Sequence, residues 1–214
     1  MSGKCSSSDK TVVEQTPMLL VLGLDQSQTM DGYPFLSDEQ LRSICNALNQ
    51  CNTDVCVAIG FIGNPTNEGF KRLQLVKIPV IEKTATMSVR AQQRKEAEHL
   101  SAKNLELIQQ FIRDVQLVRP LTTKTCLNKF CADAAKLLSE PQFNEYTKMI
   151  MLYSDGLEDC SGKNKTEPLK ISFLSEVSVY VVGWKNKQTI EHTGIYKEFA
   201  DLHGFVQFIN SLTK

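Results

Sequence analysis

Apolar and polar positions alternate along this chain in two distinct rhythms. Met18 to Leu24 is a nearly continuous apolar run that stops at a polar loop, the pattern of a strand buried on both faces of a parallel sheet. Asp54 to Ile62, with Val55, Val57, Ile59, Phe61 and Ile62, reads the same way. So do Met149 to Tyr153, which runs into Ser154-Asp155-Gly156, and Val177 to Val182, which ends at Gly183. A further strand is expected from about Arg72 to Val80. The turn residues between Gly63 and Gly69 join it to the strand before as an antiparallel edge hairpin rather than through a helical crossover.

Between these runs the apolar spacing becomes helical. Ser37, followed by Glu39 and Gln40, caps a helix that carries Leu41, Ile44, Cys45 and Leu48 on one face. Met87 to Val118 predicts a long helix whose later part bears Leu100, Leu105, Ile108, Phe111, Ile112 and Val115. Its stretch from Ala91 to His99 is almost wholly polar and is expected to project into solvent. Thr125 reads as the cap of a helix through Leu127, Phe130, Cys131, Ala134, Leu137 and Leu138, which Pro141 stops. Glu191 to Leu202 reads as the last helix and Phe205 to Ile209 as the last strand. The predicted order is β-α-β-β-α-α-β-α-β-α-β.

Strands alternating with helices imply an α/β fold: a doubly wound, mainly parallel six-stranded sheet with one antiparallel edge strand and helices on both faces. Such sheets place ligand sites at the carboxyl ends of their strands. Residues 1 to 16 are polar and aperiodic and are expected to form a disordered leader, with 17 to 214 forming one domain.

Composition narrows the function. The 24 Lys and Arg balance the 24 Asp and Glu, so no sequence-independent pull toward phosphate backbones is expected and nucleic acid is a poor partner. Apolar stretches fall far short of the roughly 20 residues that a membrane span needs. The N-terminus lacks an apolar signal region, and the faint likeness of Cys5-Ser6-Ser7-Ser8 to a processed lipoprotein start is opposed by Lys4. The 7 cysteines form no C-x-x-C pair, so reduced thiols in a cytoplasmic protein are expected. Cys45, Cys56, Cys126 and Cys131 read as small buried apolar residues.

The candidate chemistry lies after the first strand. Asp25-Gln26-Ser27-Gln28-Thr29 sets a carboxylate and two hydroxyls at alternating positions, hard oxygens that suit Mg²⁺ or Mn²⁺. Leu22-Gly23-Leu24-Asp25-Gln26-Ser27-Gln28-Thr29-Met30 resembles the strand and loop of the metal-ion-dependent adhesion site of von Willebrand factor type A (vWA) domains, written D-x-S-x-S/T. Pro120-Leu121-Thr122-Thr123-Lys124-Thr125 resembles the loop that gives this family its later threonine ligand, and Met149 to Gly156 its apolar strand ending in T/S-D-G. Val177 to Trp184 is similar to the family's V-x-V-x-V-V-G strand, and Phe199 to Phe205 to its final helix and strand. Gln28, Pro120 and Leu121 stand where the family carries glycines.

The resemblance implies that Ser27, Thr29 and a threonine of the 122 to 125 loop bind the ion directly, while Asp25 and Asp155 hold it largely through water. Thr123 is favoured for its T-x-T spacing to Thr125; Thr122 is the near alternative, with Thr125 then only a helix cap. The implied function is non-enzymatic: a module whose ion accepts an Asp or Glu carboxylate from a protein partner. A metal-free scaffold that makes contact through the 91 to 99 segment is the alternative. An aspartyl-phosphate phosphatase fits less well, because Ser27 stands where that chemistry needs a second acid. No Gly-rich phosphate loop, G-x-S-x-G or H-E-x-x-H is present, and His99, His192 and His203 share no ligand spacing.

Overall fold

The computed structural model describes residues 16–25, 36–63, 69–118, 124–156, 160, 175–185 and 192–212. Residues 1 to 15 of the expected leader (1 to 16), the 26 to 35 loop that contains Ser27 and Thr29, and the 119 to 123 loop that contains Thr122 and Thr123 lie outside them.

The apolar run at the start becomes β1 (Met18–Asp25), and its residues from Leu19 to Asp25 are all buried. It lies at the centre of a six-stranded sheet beside β2 (Val55–Ile62), β3 (Lys71–Leu75), β4 (Thr147–Tyr153), β5 (Ser178–Val182) and β6 (Tyr196–Phe199), in the order β3-β2-β1-β4-β5-β6. All neighbours pair in parallel except β2 and β3, which form the expected antiparallel edge. The strand order reverses at β1 and β4, the switch point at whose carboxyl ends sheets of this kind place their ligand sites.

Side chains alternate across the strands and build one core on each face. Leu20, Leu22 and Leu24 of β1 pack with Met149, Met151 and Tyr153 of β4 under α1 (Asp38–Leu48), α2 (Met87–Leu117) and α4 (Leu202–Leu212). Leu19 and Val21 face the other way, with Ile150 and Leu152, under α3 (Leu127–Leu138). The cap predicted for α1 forms a full capping box: the Gln40 N–H donates to Ser37 Oγ at 3.1 Å, and the Ser37 N–H to Gln40 Oε1 at 2.8 Å. In α2 Asn104, Ile108, Phe111, Ile112 and Val115 are buried, whereas Leu105 of the expected stripe is exposed and Leu100 only partly covered, and most of the 91 to 99 stretch is exposed.

The seat of α3 fixes the functional rim. Gly23 and Gly60 are register partners on β1 and β2, and the Phe130 ring lies over both. A Cβ at Gly23 would meet Phe130 at 2.5 Å, and one at Gly60 would meet it at 2.8 Å. The two glycines form a notch that takes the ring, so the start of α3 is held above the end of β1.

The C-terminal expectation is corrected. Residues 192 to 202 do not form the last helix, nor Phe205 to Ile209 the last strand: β6 spans Tyr196–Phe199, and α4 follows it. Asp201 decides this locally, because its Oδ1 accepts the Gly204 N–H at 2.8 Å at the head of α4, the bond an N-cap side chain makes. Leu202, Phe205 and Ile209 then share the buried face. The third strand is also shorter than expected, ending at Leu75.

Candidate metal centre at the carboxyl rim

Asp25 ends β1 and is 1% exposed, a burial that a carboxylate tolerates only with donors around it. By alternation it faces the α3 side, like Gly23 before it. The register that pairs Leu24 with Tyr153 brings the residues after β4 alongside it. Ser154 Oγ donates to Asp25 Oδ2 at 2.6 Å, and Thr125 Oγ1 donates to the same oxygen at 3.3 Å. Thr125 and Ser154 are both fully buried. The Gly156 N–H donates to Ser154 Oγ at 3.1 Å, so the serine relays the rim of β4 onto the end of β1.

Asp155 follows at once and is 5% exposed. Its carbonyl accepts the Lys185 N–H at 3.3 Å, and the Ser154 N–H reaches Val182 O at 3.3 Å, which ties this loop to the end of β5. Gly156 has φ +84°, a conformation that side-chain-bearing residues resist, and a Cβ there would strike the Trp184 ring at 2.7 Å. Glycine is therefore required where Ser-Asp-Gly turns away from the sheet.

Of the residues singled out from sequence, the structure places Asp25, Thr125 and Asp155 at one rim, on β1, before α3 and after β4. Ser27, Thr29, Thr122 and Thr123 lie outside the described residues. Thr125 is not the helix cap that its position implied. Cys126 is the N-cap residue of α3 and makes no side-chain cap bond, while the Thr125 hydroxyl is engaged with Asp25. Ser154 went unrecognised as a polar partner of Asp25. The signal was available in the parallel register, since a residue just past Tyr153 must lie beside one just past Leu24.

Among the described residues, this rim offers oxygen donors: the carboxylates of Asp25 and Asp155 and the hydroxyls of Thr125 and Ser154. It fits a hard cation of the Mg²⁺ or Mn²⁺ class. Among the described residues no group of three or more His, Cys, Asp and Glu is arranged to hold a metal.

Beside the rim, Cys126 is joined to Cys160 by a disulfide with Cα atoms 5.1 Å apart. The expectation of reduced thiols fails for this pair. Cys45, Cys51, Cys56 and Cys131 are free and buried, and burial drives the Cys45 thiol up to about 12 and that of Cys56 to about 11.

The β3-β2-β1-β4-β5-β6 order, its single antiparallel edge strand and the Ser-Asp-Gly turn beside Asp25 are now in place. The fold is vWA-like. No family profile matches the sequence, and no curated protein matches it. Solved structures resemble it over most of its length. SpaC, a pilus adhesin of Lactobacillus rhamnosus GG, is 10% identical with a TM-score of 0.48, over 93% of this chain and 30% of that one. A von Willebrand factor type A protein from Catenulispora acidiphila is 14% identical with a TM-score of 0.46, over 92% of this chain and 42% of that one. The manganese-loaded TRAP protein of Plasmodium vivax is 13% identical with a TM-score of 0.41, over 91% of this chain and 72% of that one. The chain thus spans less than half the length of SpaC and of the Catenulispora protein. Among the described residues, no helix of this vWA-like domain is long and apolar enough to cross a membrane.

Proposed function

We propose that this vWA-like domain is a metal-dependent protein-binding module, with Asp25, Ser27, Thr29, Thr123 and Asp155 holding one Mg²⁺ or Mn²⁺. The observation that carries this reading is the buried Asp25 carboxylate, held by Ser154 and Thr125 beside Asp155 at the carboxyl rim of the sheet. An ion held from one side by protein oxygens offers its open face to an Asp or Glu of a protein partner. Binding rather than turnover is the role in this reading. The earlier expectation of a cytoplasmic site is dropped from this reading: a Cys126–Cys160 disulfide suits an oxidising compartment.

Titration calorimetry with Mn²⁺ and Mg²⁺ tests the proposal. One ion per chain is expected for the native protein and none for Asp25→Ala. Metal uptake that survives Asp25→Ala undiminished rejects this assignment. A metal-free scaffold is the second reading, favoured by the solvent-exposed 91 to 99 segment of α2. It requires partner capture that is lost when Arg94, Lys95, Glu96 and Glu98 become alanine and that ignores Asp25→Ala.

A further inference from the structure

The two segments that hold Asp25 from outside β1 are covalently joined. Thr125 immediately precedes Cys126, and Ser154, Asp155 and Gly156 lead the chain toward Cys160. The disulfide between them spans 34 positions of sequence and closes at the rim itself. The start of α3 is also held over the sheet by Phe130 in its glycine notch and by the Thr125 hydrogen bond to Asp25. Two links join residues 124 to 126 with 154 to 160: the Asp25 carboxylate, which both Thr125 and Ser154 reach, and the disulfide.

We propose that the Cys126–Cys160 disulfide is a positioning element of the Asp25 site: it keeps Thr125 and Ser154 on the same carboxylate oxygen, so that ion affinity at this rim depends on the thiol–disulfide state of this one pair. The metal part rests on the function proposed above; the positioning part does not. A restraint of this kind acts through the hydrogen bonds that orient a ligand, and loss of such partners weakens metal binding by about 10- to 100-fold.

The chemistry is thiol–disulfide exchange with an external dithiol. A dithiol thiolate attacks Cys160 Sγ, which belongs to an exposed residue, and Cys126 Sγ leaves as the thiolate. The second thiol of the reagent then displaces Cys160 from the mixed disulfide. Two electrons and two protons pass to the cysteine pair, and the dithiol becomes its own disulfide. Of the other described cysteines, Cys45, Cys51, Cys56 and Cys131 are buried and do not compete.

The test uses the full chain in the disulfide form, the same chain reduced with dithiothreitol and then freed of the reagent, and the Cys126→Ser/Cys160→Ser double variant. Two quantities are read: amide hydrogen exchange at Gly156, whose N–H reports the Ser154 link, and Mn²⁺ affinity by calorimetry. Reduction is expected to speed Gly156 exchange by about tenfold and to weaken Mn²⁺ binding by at least about tenfold. The double variant should match the reduced protein and ignore dithiothreitol. Equal Gly156 exchange in the two redox states overturns the inference whatever the metal does, and equal Mn²⁺ affinity in the two states overturns the coupling to the ion. Redox-dependent exchange in a protein that binds no Mn²⁺ in either form rejects the metal reading and leaves the positioning role supported. Should the double variant fail to fold, the comparison of oxidised and reduced native chain still decides. Quantitative alkylation of Cys126 and Cys160 in the native, non-reduced protein also overturns the proposal.

Discussion

The centre of the sheet and its C-terminal edge are built by different means. Every residue of β1 from Leu19 to Asp25 is buried, and both its neighbours run parallel in unbroken register. β6 has no fully buried residue and one neighbour, and an aromatic cluster secures it. Phe199, Phe205, Phe208 and Tyr180 stack with ring centroids 5.0 to 6.3 Å apart, and the Lys197 ammonium lies 4.8 Å from the centroid of Phe208. Strands sandwiched between two helical layers have one acceptable register, whereas an edge strand held by rings tolerates change. The candidate site sits on the over-determined part, where the positions of Asp25 and Ser154 follow from the same ladder.

The largest effect is expected at the centre. Phe130→Ala empties the notch over Gly23 and Gly60 and should cost about 3 to 5 kcal/mol, read as a lower urea midpoint. Because the same ring seats the segment carrying Thr125, the variant should also weaken Mn²⁺ binding under conditions where it remains folded. A loss below about 1 kcal/mol means that α3 is held chiefly by other contacts, and the contrast between centre and edge breaks.

At the edge a smaller change suffices to sharpen the contrast. Asp201→Ala removes the acceptor for the Gly204 N–H and should cost about 1 kcal/mol while leaving Mn²⁺ affinity unchanged. Hydrogen exchange should rise at the first turn of α4 and nowhere in β1 or β4. Faster exchange in β1 would show that the edge is coupled to the centre and would undo the division drawn here.

The same division decides how much was legible in the sequence. Continuous apolar runs fixed β1, β2, β4 and β5, and local capping chemistry fixed the start of α1, because in each case the deciding interactions lie within a few residues. Phe205 to Ile209 is apolar apart from Gln207 and reads as a short strand, while Leu202, Phe205 and Ile209 also keep helical spacing; the Asp201 cap resolves the ambiguity toward α4 and was overlooked. Tyr196-Lys197-Glu198-Phe199 is too short and too polar to announce β6. At the site, Asp25 and Asp155 were readable from their places after buried runs. Thr125 was misread because its acceptor is 100 positions away, and the Cys126–Cys160 pair obeys no local spacing. Long-range partners of short polar side chains are what a one-dimensional pattern does not carry.

The opposite edge of the sheet supplies the smallest effect. Arg72 on β3 meets Glu140, just past α3, in a two-pronged pair with Nη2 to Oε1 at 2.6 Å and Nη1 to Oε2 at 2.9 Å. The guanidinium holds the Glu140 carboxyl below its ordinary value of 4.5. Both side chains keep a third or more of their surface in solvent, so screening limits Arg72→Ala to a loss of about 0.5 to 1 kcal/mol at neutral pH. A carboxyl whose folded-state value is depressed adds stability above 4.5 and surrenders it as pH falls through the lower, folded-state value. The urea midpoints of native protein and Arg72→Ala should therefore draw together as the buffer is taken below pH 4.5. They should not coincide, because the Arg72 guanidinium also lies 5.9 Å from the centroid of the Phe143 ring, a contact that does not depend on the charge of Glu140. A gap as wide in acid as at neutral pH assigns the whole effect to that ring, and makes this edge, like the C-terminal one, an aromatic construction.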